Sequence, residues 1–211
     1  MSEIQRAREL VRAARLYAIT PDAEPDHLEV LVRAWLAAGV RLVQLRQKVM
    51  PRGDLLELAR RLGRVVAASG GALVVDDHAD VAVLAGAAGV HVGPDDLSVA
   101  AVRKAVGGSL LVGASAPTPE AAQAAVAAGA DYVGSGPAYA TATKPSKEVI
   151  GPAGIARVAA AVEVPVFAIG GVTSDRIGEL RAVGLDRVCA ISALDGPDPA
   201  ARAGAMLRAL E

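Results

Sequence analysis

The sequence predicts a parallel α/β fold: an eight-stranded (β/α)8 barrel of the TIM type, with an extra helix ahead of the first strand. Three observations carry this. Short apolar runs alternate with amphipathic segments from end to end, the pattern of strand–helix units joined by short connections. Eight such runs in 211 residues leave about 26 residues per unit, near the compact end for a closed barrel. No Gly-x-Gly-x-x-Gly run follows the first strand, where an open dinucleotide-binding sheet, the other arrangement of such units, would carry one.

The elements follow in order. A helix over 3–13 precedes the first strand and is expected to cover the barrel bottom. Apolar runs predict strands over 16–20, 42–45, 73–75, 90–92, 110–114, 132–135, 166–169 and 188–191. Helical periodicity appears over 28–38, 54–68, 99–106, 120–128, 154–162, 175–183 and 199–210. Glycines at 39, 70, 129 and 184 mark helix stops. Asp26, Ser98, Thr118 and Ser174 are expected N-caps. No linker or low-complexity tract divides residues 1–211, so one domain is expected.

Composition narrows the function. Hydrophobic residues make up 53%, enough to fill a core. A formal net charge of -1 offers no basic stripe for nucleic acid, and 2% aromatics offer little to stack on bases. Cys189 is the single cysteine, which excludes an internal disulfide and fits a reducing compartment. The first sixteen residues lack the apolar core of a signal peptide. No apolar run reaches transmembrane length, although the mean hydropathy is +0.37. A cytoplasmic protein without nucleic-acid or membrane partners is expected.

In a closed α/β barrel the residues after each strand build the active face. Gln44-Leu45-Arg46-Gln47-Lys48 follows the second strand. Alternation puts Gln44, Arg46 and Lys48 on one side, where Arg offers a fork for phosphate and Lys a mobile charge. Asp76-Asp77 follows the third strand and Pro94-Asp95-Asp96 the fourth. Carboxylates at one end of a sheet can hold a hard divalent cation with a substrate phosphate. Taken alone, Asp96 reads rather as the N-cap or a first-turn acid of the next helix, over 97–106. Asp76 and Asp77 repel each other unless a cation is near.

Ser115 brings a hydroxyl after the fifth strand, or serves its loop. A long loop with Thr141, Thr143, Lys144 and Lys147 follows the sixth, and long loops in compact domains are usually functional or disordered. Gly170-Gly171 and Ile191-Ser192 follow the last two strands, where barrels commonly cradle phosphate. His91 suits a core or a site position, His78 has no assignable partner, and no Ser/His/Asp or Cys/His nucleophilic set emerges.

These motifs, in this order from about Leu16 to Ala193, resemble thiamine-phosphate synthase, also called thiamine-phosphate pyrophosphorylase. The carriers are the runs at 43–48, 75–77, 89–93, 136–137, 141–145, 168–171 and 191–192. The resemblance implies a transferase that joins a pyrimidine methylene diphosphate to a thiazole phosphate, releasing diphosphate. It implies that Gln44, Arg46 and Lys48 bind the pyrimidine substrate and its diphosphate, with Asp76 at the pyrimidine. Asp77 and Asp96 would hold Mg²⁺. Ser115 and Lys144 would join Arg46 on the diphosphate side as the catalytic groups. Thr141, Thr143, Gly171, Ile191 and Ser192 would bind the thiazole phosphate.

The chain departs from the family pattern at Asp76, usually Asn, at Gln47, usually Glu, and at Pro94-Asp95, usually Gln-Glu. Two other readings remain. The related thiazole tautomerases use a His after the sixth strand, where this chain has Pro137. A noncatalytic phosphate-binding regulatory barrel would keep the cradle without turnover.

Overall fold

The computed structural model of the chain describes residues 2–141 and 148–211. Its eight strands are β1 (Leu16–Ile19), β2 (Leu42–Leu45), β3 (Ala72–Asp76), β4 (Gly89–Val92), β5 (Leu111–Ser115), β6 (Tyr132–Ser135), β7 (Val166–Ala168) and β8 (Val188–Ala190). They pair in chain order and all in parallel, and β8 returns to β1. The sheet therefore closes into a barrel, not an open wound sheet. Gln44 lies within β2, and Asp76 and Ser115 are the last residues of β3 and β5, so the backbone ladder holds three expected site residues.

Alternation along the strands splits the core in two. Tyr17, Leu42, Val74, Leu111, Tyr132, Phe167 and Cys189 pack inside the barrel. Ala18, Val43, Leu45, Val75, Val90 and Val133 pack outward under the helices. Both faces are buried, which is why these strands read in the sequence as unbroken apolar runs.

Helix α1 (Glu3–Ala13) starts at a capping box formed by Ser2 and Gln5. Its Ala7 and Val11 join the inner cluster, so it covers the bottom as expected, and Arg8 pairs with Asp131 at 2.9 Å. The outer helices are α2 (Pro25–Ala37), α3 (Arg52–Ala68), α4 (Ala79–Ala85), α5 (Val99–Val106), α6 (Pro119–Ala127), α7 (Gly151–Ala160), α8 (Ile177–Ala182) and α9 (Pro199–Ala209). Gly39, Gly70, Gly129 and Gly184, just past helix ends, all take the positive φ that a stop of this kind requires. Among the described residues no helix is long and apolar enough to cross a membrane.

Three expectations are corrected. Helix α4 has only seven residues, too few for its periodicity to register in the sequence. Ser98 and Thr118 do cap α5 and α6 by accepting backbone N–H bonds. Asp26, however, lies in the first turn of α2, because the helix starts at Pro25 and the cap position falls two residues earlier, at Glu24. Ser174 begins a short 3₁₀ turn, Ser174–Arg176, that precedes α8 and has Thr173 at its cap position.

Candidate active site

The C-terminal strand ends open on one cavity of about 320 Å³. Gln44, Arg46, Lys48, Asp76, Asp77, Asp96, Ser115, Thr141, Gly171, Ile191 and Ser192 all line it. Thr143 and Lys144, also expected at the site, lie outside the described residues. The eleven are gathered from seven strand ends and the loops beyond them, because each sits at or after the end of a strand whose inward positions face the cavity.

The wall beside β2 and β3 is built from charges. Lys48 Nζ lies 3.0 Å from Asp76 Oδ2 and also donates to Asp77 Oδ2. This is the cation that lets two adjacent carboxylates coexist. Burial works against the Lys48 ammonium, but the hydrogen bonds and charges of Asp77 and Asp76 outweigh it and hold its pKa above the ordinary value. Arg46 pairs with Asp22 at 2.6 Å, and its Nε is 3.9 Å from Asp76. Asp22 also accepts the Lys48 backbone N–H at 2.9 Å. Buried Thr20 exchanges hydrogen bonds with the backbone of Arg46 at 2.9 and 3.2 Å, which fixes the exit of β2.

Asp77 adopts φ 62 and donates its backbone N–H to His91 O at 2.8 Å. Aspartate tolerates this left-handed conformation better than most residues. Asp96 Oδ2 accepts the Gly93 N–H at 2.9 Å. The cap of α5 is Ser98, so Asp96 is neither its cap nor in its first turn.

The wall beside β7 and β8 is built from backbone. Gly170 and Gly171 take φ 97 and 63. A Cβ at Gly170 would fall 2.5 Å from Pro137 Cβ, and one at Gly171 would fall 2.7 Å from Ala140 O. The loop after β6 is stitched to this turn, Ala138 N–H donating to Ile169 O at 2.8 Å and Tyr139 N–H to Gly170 O at 3.0 Å. Arg176 donates to Gly171 O at 2.8 Å and lies over the Tyr139 ring at 4.5 Å. Trp35 Nε1 donates to Leu194 O at 3.0 Å, so α2 holds the turn after Ser192.

Beneath the cavity lies an aromatic cluster, of which Tyr17 reaches the lining. Tyr17, Tyr132 and Phe167 meet edge to face at 5.6–5.9 Å between ring centres. Burial pushes both tyrosine hydroxyls well above their ordinary pKa. It does the same to the Cys189 thiol, so the only cysteine is a buried thiol, not a thiolate.

Sequence reasoning missed Asp22, whose one signal was an acid two residues past the first strand. It also missed that Ser115 and His91 meet: His91 Nε2 is 3.0 Å from Ser115 Oγ. The two sit on neighbouring strands, and no sequence spacing marks such a pair. His91 Nδ1 lies 3.3 Å from the Tyr132 hydroxyl. Of the departures from the family pattern, Asp76, Pro94 and Asp95 line the cavity. Gln47 turns away and donates to Ala23 O at 2.9 Å.

Among the described residues no group of three or more His, Cys, Asp and Glu is placed to hold a metal ion. Asp77 and Asp96 nevertheless both contribute hard oxygen donors to the lining of the cavity. That donor set fits Mg²⁺, which takes one or two carboxylates and completes its shell with water and substrate phosphate.

A family model described as thiamine monophosphate synthase matches residues 16–194. The chain is 42% identical over 194 residues to the "Thiamine biosynthesis bifunctional protein ThiM/ThiE" of Symbiobacterium thermophilum, covering 91% of this chain and 40% of that one. It is 42% identical over 206 residues to a thiamine-phosphate synthase of Anaeromyxobacter dehalogenans, covering 95% and 89%. The chain thus spans well under two thirds of the first relative and nearly all of the second. A solved thiamine phosphate pyrophosphorylase from Pyrococcus furiosus superposes with a TM-score of 0.85 at 29% identity, covering 98% and 97% of the two chains. The match over β1 to the turn after β8, together with the cavity those elements build, establishes that the chain belongs to the thiamine monophosphate synthase family.

Proposed function

We propose that this chain is a thiamine-phosphate synthase. It would condense hydroxymethylpyrimidine diphosphate with hydroxyethylthiazole phosphate, giving thiamine phosphate and diphosphate. The observation that carries this is one cavity with two unlike walls, one of paired charges around Arg46 and Lys48 and one of glycine backbone at Gly170 and Gly171. Two phosphorylated substrates must meet in such a reaction, and each needs its own holder.

The C–O bond between the pyrimidine methylene and the diphosphate breaks, and its electron pair leaves with the diphosphate. Arg46 and Lys48 neutralise that developing charge, and Ser115 donates a hydrogen bond to it. The aminopyrimidine ring stabilises the cation left on the methylene, with Gln44 and Asp76 beside it. The thiazole nitrogen then forms the new C–N bond, while Gly171, Ile191 and Ser192 hold the thiazole phosphate. Asp77 and Asp96 would hold Mg²⁺, which when bound supplies further neutralisation of the diphosphate.

The test is release of diphosphate and formation of thiamine phosphate from the two substrates with Mg²⁺. Turnover supports the reading. Binding of both phosphates without turnover favours the regulatory barrel, and isomerisation of a thiazole carboxylate phosphate favours the tautomerase.

A further inference from the structure

A single run of hydrogen bonds crosses the barrel beneath the cavity. Gln44 Nε2 donates to Tyr17 Oη at 2.8 Å. Tyr17 Oη lies 2.9 Å from Tyr132 Oη. Tyr132 Oη lies 3.3 Å from His91 Nδ1, and His91 Nε2 lies 3.0 Å from Ser115 Oγ. Gln44 and Ser115 at its ends line the cavity, as do Tyr17 and His91 between them, while Tyr132 lies below. The place is built for it: a Cβ at Gly113 would fall 2.1 Å from Tyr132 Cζ and 2.6 Å from His91 Nδ1. Only glycine leaves room for both rings.

Donor and acceptor chemistry gives the run a direction. The Gln44 amide NH₂ can only donate, so Tyr17 Oη accepts there. Each phenol has one proton, and burial keeps both phenols protonated. If Tyr17 donates to Tyr132, then Tyr132 donates to His91 Nδ1 and every contact is satisfied. If Tyr132 donated to Tyr17 instead, the Tyr17 proton would have no acceptor in the run, in a residue 1% exposed.

We infer that this run fixes His91 as the neutral Nε2–H tautomer, which donates to Ser115 and leaves the Ser115 proton as a donor to the diphosphate. At the other end the Gln44 carbonyl oxygen is left to accept from the amino group of the pyrimidine. The run thus presents an acceptor at one side of the cavity and a donor at the other, and so sets which way round the substrate lies. His91, Tyr132 and Tyr17 are positioning residues that act through Ser115 and Gln44. The substrate assignment rests on the proposed synthase reading; the tautomer does not.

The experiment is nitrogen NMR on the full chain labelled at histidine. His91 is identified among the three histidines by the resonances lost in His91→Gln. At neutral pH the expected result is an unprotonated Nδ1 and a protonated Nε2. A protonated Nδ1 would overturn the inference. Tyr132→Phe removes one oxygen and keeps the ring packing. It should shift the Nδ1 resonance toward that of an unbonded nitrogen and lower kcat about three- to ten-fold, the size of one neutral hydrogen bond, with KM for the thiazole phosphate unchanged. Unchanged kcat and unchanged resonance in a folded Tyr132→Phe protein would contradict it. If the parent protein lacks turnover, the synthase reading fails alone. The tautomer, and the affinity of Tyr132→Phe for inorganic diphosphate with Mg²⁺, still decide the inference, with an unweakened affinity counting against it.

Discussion

The two walls of the cavity are built by different physics, and under the proposed reading each would hold its anion differently. The wall beside β2 and β3 uses long charged side chains that neutralise one another: Lys48 lies between Asp76 and Asp77, and Arg46 reaches Asp22. The wall beside β7 and β8 uses short-range backbone, at glycines whose φ values and close neighbours exclude a side chain. A ligand reaching the first wall competes with the carboxylate partners its cations already have. The second is set before any ligand arrives. A leaving group whose charge grows during reaction suits the first, and a phosphate that serves only as a handle suits the second.

Three substitutions would break or sharpen that contrast. The largest effect is expected at Asp77. At φ 62 asparagine is tolerated as well as aspartate, so Asp77→Asn removes the charge without straining the backbone. Turnover should fall by about 100-fold or more, as when a group stabilising transition-state charge is lost. Thiazole phosphate binding should be retained; steady-state kinetics with a direct binding titration would check both. Next, Gly171→Ala forces a Cβ to within 2.7 Å of Ala140 O at a positive φ. Strain of about 1–3 kcal/mol is expected, read as a lower denaturation midpoint and weaker thiazole phosphate binding, with diphosphate binding less affected. The smallest change is expected from Asp76→Asn. It removes one of the two carboxylates holding Lys48 and frees that cation for the diphosphate. It also restores a side chain that both donates and accepts at the pyrimidine. Activity should persist, and KM for the pyrimidine diphosphate should drop by about two- to ten-fold, one neutral hydrogen bond's worth.

The same contrast explains what could be read in the sequence. Strands buried on both faces are continuous apolar runs, so all eight were visible, and glycines past helix ends marked the stops. Knowing the strand ends was enough to select Arg46, Lys48, Asp76, Asp77 and Gly171, since parity and the barrel's active face do the rest. Helix α4 was hidden because seven residues carry too little periodicity. Asp22 was hidden because its meaning depends on Arg46, 24 positions away. The run under the cavity was hidden more deeply. Tyr17 and Tyr132 are 115 positions apart, and inside an apolar run an inward tyrosine looks like any other core residue. Its hydroxyl acquires a role only when closure of the barrel brings the strands round.

The central claim is that one cavity holds two phosphorylated ligands on two separate walls. Calorimetric titration of Arg46→Ala and Ser192→Ala, each with the pyrimidine diphosphate and the thiazole phosphate, tests it most directly. The account predicts crossed losses, each about 1–3 kcal/mol as for hydrogen bonds to charged or buried groups. Arg46→Ala should weaken the diphosphate ligand and spare the thiazole phosphate, and Ser192→Ala should do the reverse. Equal losses for both ligands in both variants would contradict the division of the cavity into two walls.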